Sequence, residues 1–224
     1  MLLLKYPHLK IIPLQACMDN TSKSLVILAS MIAKEMASHL TSLPSRTGRS
    51  VHRISFIGHS IGSIVIRLAL NNPLLQSYQS CYHLFLSLNA PHLGVQFSKK
   101  THEWGKKVLS LVNSSALVDE LMLKDEKSPK NSLLYRMSQN SCIVYRIDLY
   151  VDISHFKYFY LFSSCQDSFI PFHCVRSETN PEIQHIPSTE AIVYDEMVQG
   201  FWKELMEKEC MTIVKKFDVY YDVF

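Results

Sequence analysis

Glycine is scarce in this chain: six residues in 224. No P-loop and no G-x-G-x-x-G is present, so the chain offers no loop to cradle a phosphate and implies no nucleotide cofactor. The six cysteines (Cys17, Cys81, Cys142, Cys165, Cys174, Cys210) include no C-x-x-C pair. Zinc-ribbon and thioredoxin readings therefore fail, and no metal is implied. Several of these cysteines sit inside apolar runs, as reduced core thiols do, which points to a reducing, cytoplasmic compartment. Neither sign of charge is in excess: 23 Lys and Arg stand against 20 Asp and Glu, for a net +3 and a pI near 8.5. That is too mild for a nucleic-acid partner, and no basic run is interleaved with aromatics. Lys99-Lys100 and Lys106-Lys107, around Trp104, read as a solvated face. Long apolar runs are missing too. Met1 to Leu4 is too short for a signal peptide, and Leu25 to Ala33 is too short to span a bilayer.

What is present suits one globular domain over residues 1–224, with 47% hydrophobic and 19% charged residues. Leu9 to Gln15 reads as a short strand. Thr21 to Leu40 carries Leu25, Leu28, Ile32, Met36 and Leu40 on one helical face. Thr41 to Ser50, rich in Ser, Thr, Pro and Gly, reads as a linker. Ile54 to Ile57, Leu84 to Leu88 and Tyr158 to Ser163 read as strands. Residues 97–141 read as two or three helices, a lid-like insertion or plain core. Thr189 to Glu209 reads as a helix, and Met211 to Tyr221 as a last strand. Strands alternating with helices predict an α/β fold with a mostly parallel sheet and flanking helices.

The most informative stretch is Ile54 to Asn71, I-S-F-I-G-H-S-I-G-S-I-V-I-R-L-A-L-N. An apolar strand runs into Gly58-His59-Ser60-Ile61-Gly62 and then into an amphipathic helix. This is the strand–turn–helix context of a nucleophile elbow. The turn is sharp, so small residues are expected on both sides of the serine, and Gly58 and Gly62 have no Cβ to clash. Ser60 would be strained with its Oγ exposed, and the Ile61 N–H at the helix start would serve as an oxyanion donor. The plainer reading is an ordinary turn with Ser60 as helix N-cap.

A serine nucleophile needs a base and a carboxylate that orients it. Asp167 is the leading carboxylate: it follows the apolar strand Tyr158 to Ser163, and Pro171 ends its loop. Its plainer role is a turn cap. Asp148 and Asp152 lie in a polar connector. In parallel sheets the site forms beyond the carboxyl ends of the strands, where Ser60, the Pro91-His92 loop and Asp167 all fall. Downstream of Asp167 only His173 and His185 remain, and neither follows a late strand, where a base belongs. His59 points along the turn, and His92 shapes its own loop.

Three segments carry a resemblance: R-I-S-F-I-G-H-S-I-G-S-I-V-I-R (53–67), L-S-L-N-A-P-H-L-G (86–94) and F-K-Y-F-Y-L-F-S-S-C-Q-D-S-F-I-P-F-H (156–173). In this order they resemble the serine esterase, lipase-like family known as domain of unknown function 676, nearest the eukaryotic proteins called family with sequence similarity 135. The resemblance implies an α/β-hydrolase fold with Ser60 as nucleophile and Asp167 as acid. It implies a small acyl-ester or lipid substrate and no cofactor. The family also has an earlier strand ending in His-Gly and a downstream Gly-Arg-Ala-Ala-His segment. This chain shows neither, so it reads as an incomplete hydrolase domain, truncated at both ends or degenerate. Without the early strand, the Leu9–Gln15 and Ile54 strands must pair directly or leave unpaired backbone groups at about 1–3 kcal/mol each. Two functions follow as expectations: an ester hydrolase, or an inactive scaffold of the same fold.

Overall fold

The computed structural model describes residues 5–6, 9–18, 22–48, 50–95, 115–139, 153–167, 170–179, 188–206, 210–220 and 222. Its first helix, α1, spans Leu25–Thr47. Leu25, Leu28, Ile32, Met36 and Leu40 form its buried stripe, each contributing about 2 kcal/mol by leaving water. The helix takes in most of the expected linker, Thr41 to Thr47, and ends at Gly48, which adopts the left-handed conformation at φ 66° with its N–H donating to the Pro44 carbonyl at 2.8 Å.

Four strands follow, β1 (Ile54–His59), β2 (Tyr82–Leu88), β3 (Tyr158–Ser163) and β4 (Ile213–Asp218). They pair in parallel in the order β1-β2-β3-β4. With its flanking helices this sheet is an α/β-hydrolase-like fold. Phe56, Phe85 and Phe159 stand in register on one face. Helix α2 (Ile61–Ala69) follows β1. Arg67, on α2 and buried, lies with its guanidinium 4.7 Å from the Phe201 ring centroid. Phe201 belongs to α5 (Thr189–Met206) and packs on Phe159 at 6.3 Å. Alternate residues point to the opposite face, where Ile57 is 63% exposed.

Two readings are corrected. Leu9 to Gln15 is not a strand: its end is held by the Glu35 carboxylate, which accepts from the Gln15 and Ala16 N–H groups at 2.9–3.0 Å, and it pairs with no strand. The strand β1 is consequently an edge strand among the described residues. Direct pairing of those two segments does not occur.

Much of the 97–141 insertion lies outside the described residues. The described part holds α3 (Ser115–Leu121) and α4 (Leu133–Ser138). Leu117, Leu121 and Leu133 are core residues there, so this part is packing rather than lid. Of the described cysteines only Cys174 is buried, while Cys165 is exposed, and all of them are free thiols. Among the described residues no helix is long and apolar enough to cross a membrane.

Helix α3 is tied to α1 by one buried carboxylate. Glu120 accepts the Leu25 N–H at 2.8 Å, satisfying a donor at the α1 N-terminus. Burial, with a smaller push from Asp125, raises the Glu120 carboxyl from its usual 4.5 to about 7, against the lowering effect of the Leu25 bond. A raised folded-state value means that the folded chain binds a proton the unfolded chain has released. The contribution is therefore complete below about pH 4.5 and is lost as pH rises through about 7. Thermal melts should show stability falling across that window, and Glu120→Gln should remove about 1–3 kcal/mol of the fall. An unchanged slope in Glu120→Gln would clear this residue.

Candidate active site

Ser60 occupies the one-residue turn between β1 and α2, at φ 53° and ψ −131°. This is positive-φ backbone that a serine adopts only under constraint. The constraint is visible on both sides. The Ser60 N–H donates to the Leu88 carbonyl at the end of β2, at 2.8 Å, and the Ser60 carbonyl accepts from the Ser63 N–H at 3.1 Å. The side chain makes no capping bond, so Ser60 is not an N-cap in the side-chain sense. Ile61 and Gly62 begin α2, where N–H groups lack intrahelical acceptors and face outward.

The two glycines around Ser60 are not equivalent. A Cβ on Gly58 would meet Ser63 Oγ at 2.5 Å, Ser63 Cα at 2.6 Å and Ser63 N at 2.8 Å. A Cβ on Gly62 meets nothing within 4 Å. The expectation that both flanks must be small therefore holds at Gly58 only. There the helix folds back onto its own strand, whereas Gly62 sits on the open side of α2.

Beneath the turn lies a buried polar chain. Ser63 Oγ accepts from Ser87 Oγ at 3.3 Å, and Ser87 Oγ is 2.8 Å from His92 Nε2. His92 is 1% exposed and ringed by Phe85, Phe159 and Phe201. Burial, then the nearby Arg67 cation, hold it well below the usual histidine range, so it is a neutral packing residue.

Asp167 follows β3 and is half-buried. Its Oδ2 accepts from Asn89 Nδ2 at 2.9 Å, and its Oδ1 accepts from the Ile170 N–H at 3.2 Å. Asn89 is the residue that knits the strand ends together. Its N–H donates to the Phe162 carbonyl at 2.9 Å, and its Oδ1 accepts from the Ser164 N–H at 3.2 Å. It sits at φ 46°, a conformation that asparagine tolerates better than most residues. Because Ser60 bonds to the carbonyl of Leu88, next to Asn89, the ends of β1, β2 and β3 are linked in one hydrogen-bonded row. Sequence reasoning passed over Asn89. The available signal was an asparagine directly after an apolar strand, beside the His92 loop. Asn89→Ala removes two side-chain bonds and puts alanine, which tolerates positive φ less well than asparagine, in this backbone, so urea denaturation should show a loss of about 2 kcal/mol. Asn89→Gly, which loses the same two bonds but accepts the positive φ, should lose less. Equal losses would place the whole effect in the lost side chain.

The described histidines named above do not meet Ser60. His59 is exposed, and His173 packs edge-on to Tyr194 at 5.7 Å with its Nε2 3.3 Å from Cys174 Sγ. His185, Asp148 and Asp152 lie outside the described residues. Among the described residues no histidine is hydrogen-bonded to Ser60, and no cluster of three His, Cys, Asp or Glu side chains is arranged to hold a metal.

A strained serine stands at a strand-to-helix turn of an α/β-hydrolase-like fold, and a carboxylate follows a strand two positions along the same sheet. Residues 4–180 match the family described as "Putative serine esterase (DUF676)", and the chain belongs to that family. No solved structure matches it.

Proposed function

We propose that this chain carries the acyl-transfer half of a serine ester hydrolase. The observation that supports this most is the Ser60 backbone, strained at φ 53° with its side chain left uncapped beside the first N–H groups of α2. In this reading Ser60 Oγ attacks the ester carbonyl and its proton passes to a base. The Ile61 N–H faces the oxyanion, the alcohol departs, and water then releases the acid. Asp167, fixed by Asn89 and the Ile170 N–H, is the orienting acid. Both acyl ester and lipid-like substrates fit the family. The described part of the helical insertion favours neither, because its leucines are core.

The second reading is a catalytically silent domain of the same fold. It is favoured by one observation: no described histidine is hydrogen-bonded to Ser60. The two readings separate when the base is supplied from solution. With imidazole and p-nitrophenyl acetate, the tryptic peptide Ile54–Arg67 should gain an acetyl group, localised to Ser60 by fragmentation. Acetylation confined to lysines, or to Ser55 and Ser63 equally, would leave the silent domain as the correct reading.

A further inference from the structure

Three polar side chains, Ser63, Ser87 and His92, lie buried beneath the Ser60 turn among apolar and aromatic neighbours. Packing alone does not call for them. Replacing a buried hydrogen-bonded set by apolar groups of the same shape is nearly neutral or stabilising. What these three do follows from the direction of their bonds and from where the bonds end.

The His92 ring is neutral and carries one proton. Its Nδ1 is buried with no hydrogen-bond partner among the described residues, while its Nε2 is 2.8 Å from Ser87 Oγ. A buried N–H without an acceptor is rarer than a buried lone pair without a donor. The proton therefore belongs on Nε2, which donates to Ser87. Ser87 donates in turn to Ser63 Oγ at 3.3 Å. A serine hydroxyl rotates to suit its neighbours, so a donor on one side of Ser87 fixes its own proton toward the other. Bonds in such a series also polarise one another. The chain runs one way, from the loop after β2 to the first turn of α2.

Its end is the contact that shapes the turn. The Ser63 N–H donates to the Ser60 carbonyl at 3.1 Å, and Ser63 supplies the three atoms nearest a Cβ built on Gly58. Where Ser63 stands sets how closely α2 approaches β1 and where the Ile61 N–H faces. Strand β2 thus grips the turn twice. Its Leu88 carbonyl accepts the Ser60 N–H at 2.8 Å, and its Ser87 hydroxyl, backed by His92, holds Ser63.

We infer that His92 is a positioning residue for Ser60, acting through the Ser87 and Ser63 hydroxyls to fix the first turn of α2 beside the strained serine. This rests on the esterase reading for what Ser60 does, though not for what the chain of hydroxyls holds.

The test compares His92→Leu, His92→Gln and Ser87→Ala. With p-nitrophenyl acetate and imidazole, His92→Leu and Ser87→Ala should acetylate Ser60 about tenfold more slowly, against roughly a hundredfold for a lost oxyanion donor. A glutamine Nε2 stands where the imidazole Nε2 did, so His92→Gln should restore most of the rate. Ser87→Ala with His92→Leu should be no slower than Ser87→Ala alone, because the two act in series. Urea midpoints should rank the other way, with Leu at or above Gln among the surrounding phenylalanines. Amide exchange at Ser63 should be about tenfold faster in His92→Leu and Ser87→Ala, and return in His92→Gln, with Leu68 and Leu70 unchanged. Nitrogen NMR should place the ring proton on Nε2. Variants that rank alike in urea and in acetylation, or a ring proton on Nδ1, overturn the proposal. So does unchanged Ser63 exchange in His92→Leu and Ser87→Ala, whatever Ser60 does. If the unsubstituted chain gains no acetyl group at Ser60, the esterase reading fails, and Ser63 exchange alone decides whether His92 holds the turn.

Discussion

Without added imidazole, Ser60→Ala should hydrolyse p-nitrophenyl acetate within about tenfold of the unsubstituted chain. A nucleophile and its base act as one unit, and losing either costs nearly as much as losing both, about a millionfold in a complete triad. No histidine among the described residues is hydrogen-bonded to Ser60, and the expected result follows if none outside them serves it. Imidazole in solution should change the comparison. A general base contributes about 100- to 10,000-fold, and only the chain with a hydroxyl at position 60 can use it. The ratio of unsubstituted chain to Ser60→Ala should therefore climb to about 100 as imidazole is titrated in, after subtraction of the imidazole-only rate. A ratio above about 1,000 with no imidazole present would mean that a base already serves Ser60. His173→Ala and His185→Ala would then identify it.

Gly58→Ala should lower folding stability by about 3 kcal/mol, whereas Gly62→Ala should leave it unchanged or raise it by about 0.5 kcal/mol. The contrast rests on what each new methyl meets. At Gly58 two of the three nearest atoms are Ser63 backbone, 2.6 and 2.8 Å away, so no rotamer change relieves the contact. The helix must shift, and the Ser63 N–H bond to Ser60 and the Ser63–Ser87 hydroxyl contact move with it. At Gly62 the methyl enters open space and replaces glycine inside a helix, which restricts the unfolded chain. Urea titrations followed by tryptophan fluorescence would measure both. A Gly58→Ala loss below about 1 kcal/mol would mean that the α2–β1 approach is looser than the structure shows.

The elements most legible in the sequence were those whose information is local. Tyr158 to Ser163 is an unbroken apolar aromatic run, and β3 spans those six residues. The α1 stripe was readable from Leu25 to Leu40 because helical periodicity repeats within each turn, although its end at Gly48 was not. The family resemblance, too, was carried by contiguous residues. Chain order alone placed Ser60 and Asp167 after strands of one sheet.

Tertiary structure decided the rest, because each of those features depends on a partner far away in sequence. Leu9 to Gln15 has strand-like composition, yet a strand exists only where a neighbour completes its ladder, and Glu35 takes its last N–H groups instead. That one outcome leaves β1 at the edge of the sheet among the described residues. Ser164 and Asp167, 75 and 78 positions after Asn89, meet its amide only in the fold. Glu120 meets the Leu25 N–H, 95 positions earlier, in a buried setting. Glycine spacing suggested two equal flanks for Ser60, but only three-dimensional packing shows that the helix returns over Gly58 and leaves Gly62 open. Contiguous motifs sufficed to place the chain in its family. Which groups reach one another was set by the long-range contacts of the fold.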